Sequence, residues 1–240
     1  EFAKAPYSQV KGLRDRMNRA RLLEWIQNPD TLLNHKRLYL IMLSVCGGAD
    51  DLPMLEQMLR SEDRKTRAGL DALVGSYLML AGADGMTLVE DLFLKESQAE
   101  YADTYAAIMA LRFLGTETDA VPRPRILQGF HCLLDRPELA DLIVPDLVRW
   151  EDWSQIEQMV SLFRKADKKS KEVRAAIINY LRSCPRPEAK DRAVELAKID
   201  PDAAKRAETF FAFSGSQSAA SAADVPAAPA DKPGAPVTPA

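Results

Sequence analysis

The sequence has few of the residue types that catalyse reactions or hold metals. It contains three cysteines and two histidines in 240 residues. Cys46, Cys132 and Cys184 form no C-x-x-C pair and fall in or at the end of apolar helical stretches, as small buried hydrophobic residues do. His131 and Cys132 point about 100° apart on a helix, so they cannot easily share one metal. The sequence therefore predicts no metal site, no cofactor and no disulfide framework.

Catalytic motifs are also missing. The chain has no Gly-rich phosphate loop, no G-x-S-x-G and no Walker-type lysine. Its acidic pairs, of which Glu90-Asp91 and Glu151-Asp152 are examples, are more typical of helix caps and solvated helix faces than of acid/base catalysis. We therefore expect a protein that is not an enzyme, although a site assembled from several helices would not show in the sequence.

Long apolar runs and a strong positive charge are lacking too. No segment approaches the roughly 18 uninterrupted apolar residues of a membrane span, so we expect none. The formal net charge is −3, and from Ala49 to Glu151 acidic residues outnumber basic ones 19 to 10. This acidic middle makes a nucleic-acid partner unlikely. The densest basic cluster crosses one interhelical turn and consists of Arg164, Lys165, Lys168, Lys169, Lys171 and Arg174.

What the sequence does contain is helical periodicity. Between Lys171 and Cys184 the apolar residues recur at i, i+3, i+4, i+7, i+8 and i+11, which indicates an amphipathic helix. The same spacing recurs between Leu70 and Ala81 and between Leu38 and Cys46. No stretch has the alternation and turn residues of a strand. The predicted fold class is therefore all-α.

Short breaks separate the predicted helices. Pro185 and Pro187 end one helix and start the next, because proline lacks the N–H and clashes with the preceding turn. Gly47 and Gly82 stand where helix C-caps would fall. Two acids, Asp135 and Asp200, precede proline-containing first turns and are predicted N-caps. Such short breaks favour antiparallel neighbouring helices.

An internal repeat supports this arrangement. The segment 48–52 (GADDL) matches 82–86 (GADGM), an offset of 82 − 48 = 34 residues. We predict five helical hairpins and a C-terminal capping pair. Pro145 interrupts the second helix of the fourth hairpin, where we expect a kink or an irregular repeat. The hairpins cover about 9–46, 51–81, 85–114, 122–150 and 152–183, and the capping pair about 186–213.

The ends of the chain differ from the repeats. Residues 1–8 are predicted to be the end of a preceding helix or a linker, and 9–213 the helical array. The segment 215–240 holds nine Ala, five Pro and three Ser, with no Leu, Ile or aromatic residue. Such a segment cannot bury enough apolar surface to offset the entropy of ordering, so 214–240 is a predicted disordered tail.

The second helices carry a family resemblance. The opening Lys171-Glu172-Val173-Arg174-Ala175-Ala176 resembles that of HEAT repeats, and residues 65–70 (KTRAGL) are a looser copy. TPR and ankyrin signatures are absent. The resemblance covers about residues 9–200 and implies a right-handed α-solenoid. The runs 133–153 and 183–189 are also similar to uncharacterised bacterial HEAT-repeat proteins in which such a solenoid forms part of an exported protein, which implies a location outside the cytoplasm.

This fold class predicts a binding surface rather than a catalytic centre. Each hairpin is buried by its neighbours, which leaves an extended concave groove lined by second helices. The predicted function is a protein-interaction or scaffolding module, whose partner is another protein or the missing N-terminal part of the same polypeptide. Polar contacts in the groove are assigned to Arg67, Asp71, Arg112 and Arg174.

Two alternatives stay open at this point. Trp150 and Trp153 are either buried core residues between two repeats or an exposed pair that anchors a protein partner. The rival function is a HEAT-like, nucleic-acid-binding enzyme similar to a DNA glycosylase, which the basic cluster 164–174 alone favours.

Overall fold

The computed structural model describes residues 7–96, 98–166 and 171–208. Within these ranges the chain is helical and contains no β-strand. The predicted all-α class is therefore confirmed. Residues 1–6, Ser97, 167–170 and 209–240 lie outside the described ranges, and with them fall most of the predicted linker 1–8, the end of the predicted capping pair and the whole predicted tail.

Thirteen α-helices are described, joined by short turns. They are α1 Tyr7–Lys11, α2 Arg19–Gln27, α3 Leu33–Cys46, α4 Leu52–Arg60, α5 Leu70–Ala81, α6 Met86–Val89, α7 Tyr101–Glu117, α8 Arg123–His131, α9 Ala140–Arg149, α10 Ile156–Lys165, α11 Lys171–Ser183, α12 Pro187–Ile199 and α13 over 201–208. A π-helical turn, Glu90–Leu94, extends α6. We call α2, α4, α6, α8, α10 and α12 the first helices, and α3, α5, α7, α9 and α11 the second helices.

Helix ends follow the predicted chemistry at most positions. Gly47 and Gly82 directly follow α3 and α5, and Gly82 has a φ of 64°, which a residue with a side chain rarely adopts. Pro187 is the first residue of α12, where its missing N–H costs nothing. The Asp200 carboxylate accepts a hydrogen bond from the Ala203 amide at 2.9 Å and so caps the start of α13, as predicted.

The two segments of the internal repeat have the same local structure. Each begins with a 3₁₀ turn, Ala49–Asp51 in one and Gly82–Gly85 in the other, and continues directly into a first helix. The first helices α4 and α6 thus start 86 − 52 = 34 residues apart. The sequence match therefore corresponds to a structural match.

Packing proceeds from one second helix to the next. α3 packs on α5, α5 on α7, α7 on α9 and α9 on α11, while α2, α4 and α10 pack on the second helices that follow them. The apolar core lies between the two sets. Its fully buried members include Leu40, Leu55, Leu73, Val89, Ile108, Ile126, Leu147, Phe163 and Ile177, one from each helix from α3 to α11.

The predicted fourth hairpin is irregular, as expected, but the irregularity does not lie at Pro145. α9 runs through Pro145 to Arg149 as an α-helix. The irregularity precedes it, where two 3₁₀ turns, Cys132–Asp135 and Pro137–Leu139, separate α8 from α9. Asp135 ends the first of these turns, and no side-chain cap begins the second, so the predicted N-cap role of Asp135 was wrong.

Within the described residues, one helical stretch, Leu70–Leu94, is long and apolar. By length and composition it could cross a membrane, although half of its most apolar 18-residue segment is buried inside the structure. Buried core helices of other proteins have the same properties, so this stretch is weak evidence for a membrane span. The absence of a span stays a prediction.

Candidate functional site

The second helices form a continuous surface, which we call the second-helix face. Two of the predicted binding residues occupy its α3–α5–α7 part and form ion pairs within the chain. The Asp71 carboxylate accepts a hydrogen bond from Arg37 Nε of α3 at 2.9 Å. Arg67, in the turn before α5, has Nη1 2.9 Å from Asp103 Oδ2 of α7. Both pairs link one second-helix unit to the next.

Arg112 makes the same kind of link between α7 and α9. Its Nε lies 2.7 Å from Asp146 Oδ2, and its Nη2 donates to the Leu142 carbonyl. The Asp146 side chain is only 1% exposed, and Arg149 provides its second cation at 3.3 Å. Burial raises the pKa of Asp146, and the charge of Arg112 opposes that rise. Arg112 therefore neutralises a buried carboxylate.

Arg174 is the most buried of the predicted binding residues. Its side chain is 8% exposed, and Nη1 lies 3.0 Å from Asp200 Oδ2. Nη2 donates to the Ala166 carbonyl at 2.9 Å, and the guanidinium lies over the Phe163 ring. These contacts join α11 to α10 and to the start of α13. Two of its donors bind Asp200 and the Ala166 carbonyl, whereas its buried Nε has no hydrogen-bond partner. A binding role for Arg174 stays a prediction.

Sequence reasoning missed the pairing itself, although a signal for it exists. Three of the ion pairs join residues separated by 34, 36 and 34 positions: Arg37 with Asp71, Arg67 with Asp103, and Arg112 with Asp146. These separations are close to the 34-residue period of the internal repeat. Opposite charges one period apart lie side by side when consecutive second helices pack on each other. A search for opposite charges 34 to 36 residues apart would have included these three pairs.

An apolar groove runs along α5 between α3 and α7. It has a volume of about 240 Å³. Small residues of α5 form its floor, and a Cβ atom added at Gly75 would meet nothing within 4 Å. Its walls and floor include Ile41, Ser44, Ala72, Gly75, Ser76, Met79, Met109 and Phe113. The Arg37–Asp71 pair also lines it, so the groove is apolar with one charged edge.

One end of this groove is already occupied by the chain itself. The Tyr7 ring of α1 meets Phe113 edge to face, with the centroids 5.3 Å apart, and its hydroxyl contacts Met79 Sδ at 3.9 Å. Tyr7 is 7% exposed, and burial raises the pKa of its hydroxyl. Val10 of α1 is buried as well. The second-helix face thus accommodates an aromatic side chain from a segment outside the helical hairpins.

Gly75→Ala tests the open floor of the groove. Glycine inside a helix costs about 0.5–1 kcal/mol relative to alanine, and the new methyl group would meet no atom. We expect the free energy of unfolding to increase by about 0.5–1 kcal/mol, measured by urea denaturation. A decrease would show that the floor at Gly75 is already filled.

The two tryptophans lie on either side of the turn after α9 and are partly buried against the core. The Trp150 ring stacks on Phe130 at 5.7 Å with an interplanar angle of 2°, and Arg123 lies over it. Trp153 contacts Tyr180 at 5.2 Å. Both rings therefore link neighbouring helices. Their role as partner anchors stays a prediction.

Polar clusters elsewhere in the described chain are also built from ion pairs. Glu90, in the π turn, binds Arg125 and has Oε2 3.2 Å from Lys95 Nζ. Burial alone would raise the pKa of Glu90, but the hydrogen bonds from Arg125 and Lys95 outweigh it and lower this pKa. The π turn therefore places Glu90 against two cations. This arrangement ties α6 to α8.

The first histidine, His35, is exposed near the start of α3, whereas His131 belongs to a capping cluster. His131 Nε2 lies 2.5 Å from Asp152 Oδ2, and Ser154 donates to Asp152 Oδ1 from both its amide and its hydroxyl. Asp152 stands between His131 and Ser154, so the histidine does not contact the hydroxyl as a catalytic base would. In the part of the chain that the structure describes, no group of three His, Cys, Asp or Glu side chains could hold a metal ion.

The basic cluster 164–174 is partly neutralised. Arg164 lies 2.8 Å from Glu195, and Arg174 is paired with Asp200. Lys165 and Lys171 are exposed, and Lys168 and Lys169 fall outside the described residues. The cluster thus provides a smaller free positive charge than its sequence suggests. Nucleic-acid binding stays a prediction that none of the described contacts favours.

Comparison with known proteins assigns the chain to no family. No protein-family model matches the chain, and no curated protein or solved structure is significantly similar to it.

Proposed function

We propose that this chain is a non-catalytic protein-interaction or scaffolding module. In this proposal the hairpins form a right-handed, HEAT-like solenoid of about five units, and the second-helix face is the concave surface offered to a protein partner. Such stacked hairpins bury each other and leave an extended surface without a closed cavity. The partner is another protein or an upstream part of the same polypeptide.

The packing of the helices supports this curvature. Each second helix from α3 to α9 contacts the next one. Among the first helices, α6 contacts α8 and α10 contacts α12, but α2 and α4, α4 and α6, and α8 and α10 make at most marginal contact. An array of hairpins bends toward the layer whose members are closer together. In the proposed solenoid, this packing supports placing the second-helix face on the inner, concave side.

The observation that carries the proposal is the position of Tyr7. A segment outside the hairpins places an aromatic side chain between α5 and α7, at the end of a groove that continues past it. Burying an aromatic ring in such a site stabilises association because it removes a large apolar area from water. A protein segment with apolar side chains would find the same kind of surface in the rest of the groove.

Exposed apolar residues extend this surface along α7. Tyr101, Tyr105 and Met109 are 58%, 41% and 40% exposed, and they recur at i, i+4 and i+8 on one side of the helix. Tyrosine and methionine are enriched in protein interfaces. Met109 also lines the groove, so this stripe and the groove form one surface.

Site-specific photo-crosslinking in the source cell tests the proposal. A photoreactive phenylalanine at position 109 of the full chain is expected to yield one discrete crosslinked protein. The same group at Thr87, which is exposed on the first helix α6, is the matched control and is expected to yield none. Gly75→Leu, which fills the groove floor, is expected to reduce the product about tenfold. Equal labelling from positions 109 and 87, or none from either, would contradict the proposal.

A further inference from the structure

A second groove lies where α3 meets the segment 10–17, at the N-terminal end of the described helices. It has a volume of about 310 Å³ and shares no lining residue with the groove along α5. α3 forms one wall and the segment 10–17 the other. Apolar side chains line most of it: Val10, Leu13, Met17, Leu38 and Met42. Arg16 completes the lining. We call it the N-terminal groove.

α3 is covered less completely than α5, α7 and α9. Each of those helices packs between two other second helices, whereas α3 has such a neighbour on one side only. The terminal helix of a helical array normally presents polar residues to water. On α3, however, Leu38 and Met42 remain partly exposed at the groove, one helical turn apart. The groove is therefore an apolar surface that the described chain leaves partly open.

The segment that forms one wall of the groove is basic. Residues 10–17 include three cations, Lys11, Arg14 and Arg16, and one acid, Asp15, which gives a net charge of 3 − 1 = +2. All three cations are exposed, and none has a carboxylate among the described ion pairs. No Asp or Glu lines the groove, and α3 contains neither. The groove therefore has an apolar lining beside an excess of positive charge.

This combination favours one kind of occupant. Two copies of the chain that met at this groove would bring like charges together, which opposes a symmetric dimer. A nucleic acid would pair its phosphates with the cations but leave the apolar lining unfilled. A lipid bilayer takes up apolar side chains that project from a surface, whereas those of this groove line a concavity. A protein segment with both acidic and apolar side chains matches the charge and the lining together.

We propose that the N-terminal groove binds an acidic amphipathic helix of a partner protein. Apolar side chains of that helix would enter the groove and pack on Leu38 and Met42, and its carboxylates would pair with Arg14 and Arg16. This inference goes beyond the proposed function, because both the surface and the chemistry of its partner differ from those along α5.

The lining suits the apolar face of a helix. Met17 and Met42 are unbranched and polarisable, so they adapt to side chains of different shape. The anchor residues of a helix bound in a groove recur at i, i+3, i+4 and i+7, and Leu38 and Met42 have the same i, i+4 spacing. Complementary charge around such a contact speeds association and selects the partner. We therefore expect both the apolar face and the acidic charge of the helix to be needed.

Nuclear magnetic resonance of the full chain with isotopically labelled methionine methyl groups tests the inference. The probe is a capped peptide of three Glu-Leu-Leu-Glu units, whose leucines fall on one side of a helix. One twin replaces every glutamate by lysine, and the other replaces every leucine by serine. With the probe, the Met17 and Met42 signals are expected to shift and saturate, while those of Met79 and Met109 in the groove along α5 stay in place. Each twin is expected to bind at least about tenfold more weakly.

Charge variants assign the effect to the basic wall of the groove. Arg14→Glu combined with Arg16→Glu is expected to lower the affinity for the probe at least about tenfold. Arg60→Glu combined with Lys171→Glu makes the same change of charge at exposed positions of α4 and α11. This matched control is expected to leave the affinity unchanged. Arg14→Gln combined with Arg16→Gln keeps the test valid if the charge-reversed variant does not fold.

Several results would overturn the inference. They are the absence of saturable shifts at Met17 and Met42, equal binding of the probe and either twin, and equal affinities of the two charge-reversed variants. Shifts of Met17 and Met42 that appear with rising protein concentration alone, together with a dimer in sedimentation, would assign the groove to a second copy instead. Any of these results, together with a crosslink from position 109, rejects the inference and leaves the proposed function intact. Loss of the crosslink with a positive probe response would reject the protein-interaction surface along α5.

Discussion

Replacing Arg112 by alanine is expected to lower the free energy of unfolding by about 3 kcal/mol, because it leaves a buried carboxylate without its main partner. Asp146 is 1% exposed and would retain only Arg149, whose own side chain is 61% exposed. The Leu142 carbonyl would lose its donor as well. Urea denaturation at neutral pH measures the loss.

A matched control separates burial from ion pairing. Arg64→Ala breaks the exposed pair of Arg64 with Glu100 and is expected to cost less than about 1 kcal/mol. If Arg112→Ala is as mild as Arg64→Ala, Arg112 has no structural role and its predicted part in partner binding gains weight. Asp146→Asn in the Arg112→Ala background is expected to recover part of the loss, since it removes the unpaired charge.

The effect of Arg112→Ala should also depend on pH. Burial already raises the pKa of Asp146 above its unfolded value, so the folded state is favoured as the carboxyl takes up a proton. Without Arg112 this pKa rises further. The difference in stability between the variant and the original protein should therefore shrink as the pH falls from 7 toward the usual carboxyl range of about 4.

Gly115→Val is the second change with a large expected effect. A Cβ at Gly115 would lie 2.8 Å from Trp150 Cη2 and 3.3 Å from Ile126 Cδ1. The Trp150 ring has little room to move, because Phe130 stacks on one face and Arg123 lies over it. Overpacking of this kind costs about 1–3 kcal/mol, and the two methyl groups of valine place the expected loss near the upper end.

Fluorine spectra of fluorotryptophan-labelled protein locate the change. The Trp150 signal, assigned with Trp150→Phe, is expected to shift in Gly115→Val, while those of Trp25 and Trp153 stay in place. Gly75→Ala is the contrasting variant, because a Cβ added at this helical glycine would meet no atom within 4 Å. Trp150→Leu is expected to rescue part of the stability of Gly115→Val. A stable Gly115→Val with unchanged spectra would contradict the packing at this point.

The helices could be predicted because their sequence pattern is local. The apolar spacing from Lys171 to Cys184 and the prolines that follow predicted a helix, and the structure has one over Lys171–Ser183. The spacing from Leu70 to Ala81 predicted the body of α5, but residues 65–69, expected to open this helix, form a turn before it. In each case the apolar periodicity and a nearby helix breaker indicate the same helix.

The irregular turns could not be predicted in the same way. A kink or an irregular repeat was expected at Pro145. The hairpin is irregular, but α9 continues through Pro145 and the 3₁₀ turns precede it. A 3₁₀ turn differs from an α-helical one by a single hydrogen-bond register, and a short apolar segment such as 132–139 fits both. The packing of neighbouring helices decides between them.

The site was harder to predict than the fold, because its contacts join distant residues. Arg67, Asp71, Arg112 and Arg174 were selected as polar residues on second helices, but which carboxylate or cation lies beside each depends on how the helices pack. Tyr7 gave no signal at all. It is one aromatic residue in a short segment, with too few neighbours to form a periodic pattern.

Tyr7 of α1 occupies one end of the groove between α5 and α7, so α1 competes with any partner that binds there. Most helix contacts join elements close in sequence, whereas Tyr7 meets Phe113 across 113 − 7 = 106 residues. The folded hairpins already hold Phe113 in place, so α1 needs only its short link to α2 to reach the groove. Its five helical residues bury little surface, so α1 should undock more often than the hairpins open. A partner that needs the Tyr7 position binds only the undocked population, and its apparent affinity falls by that fraction.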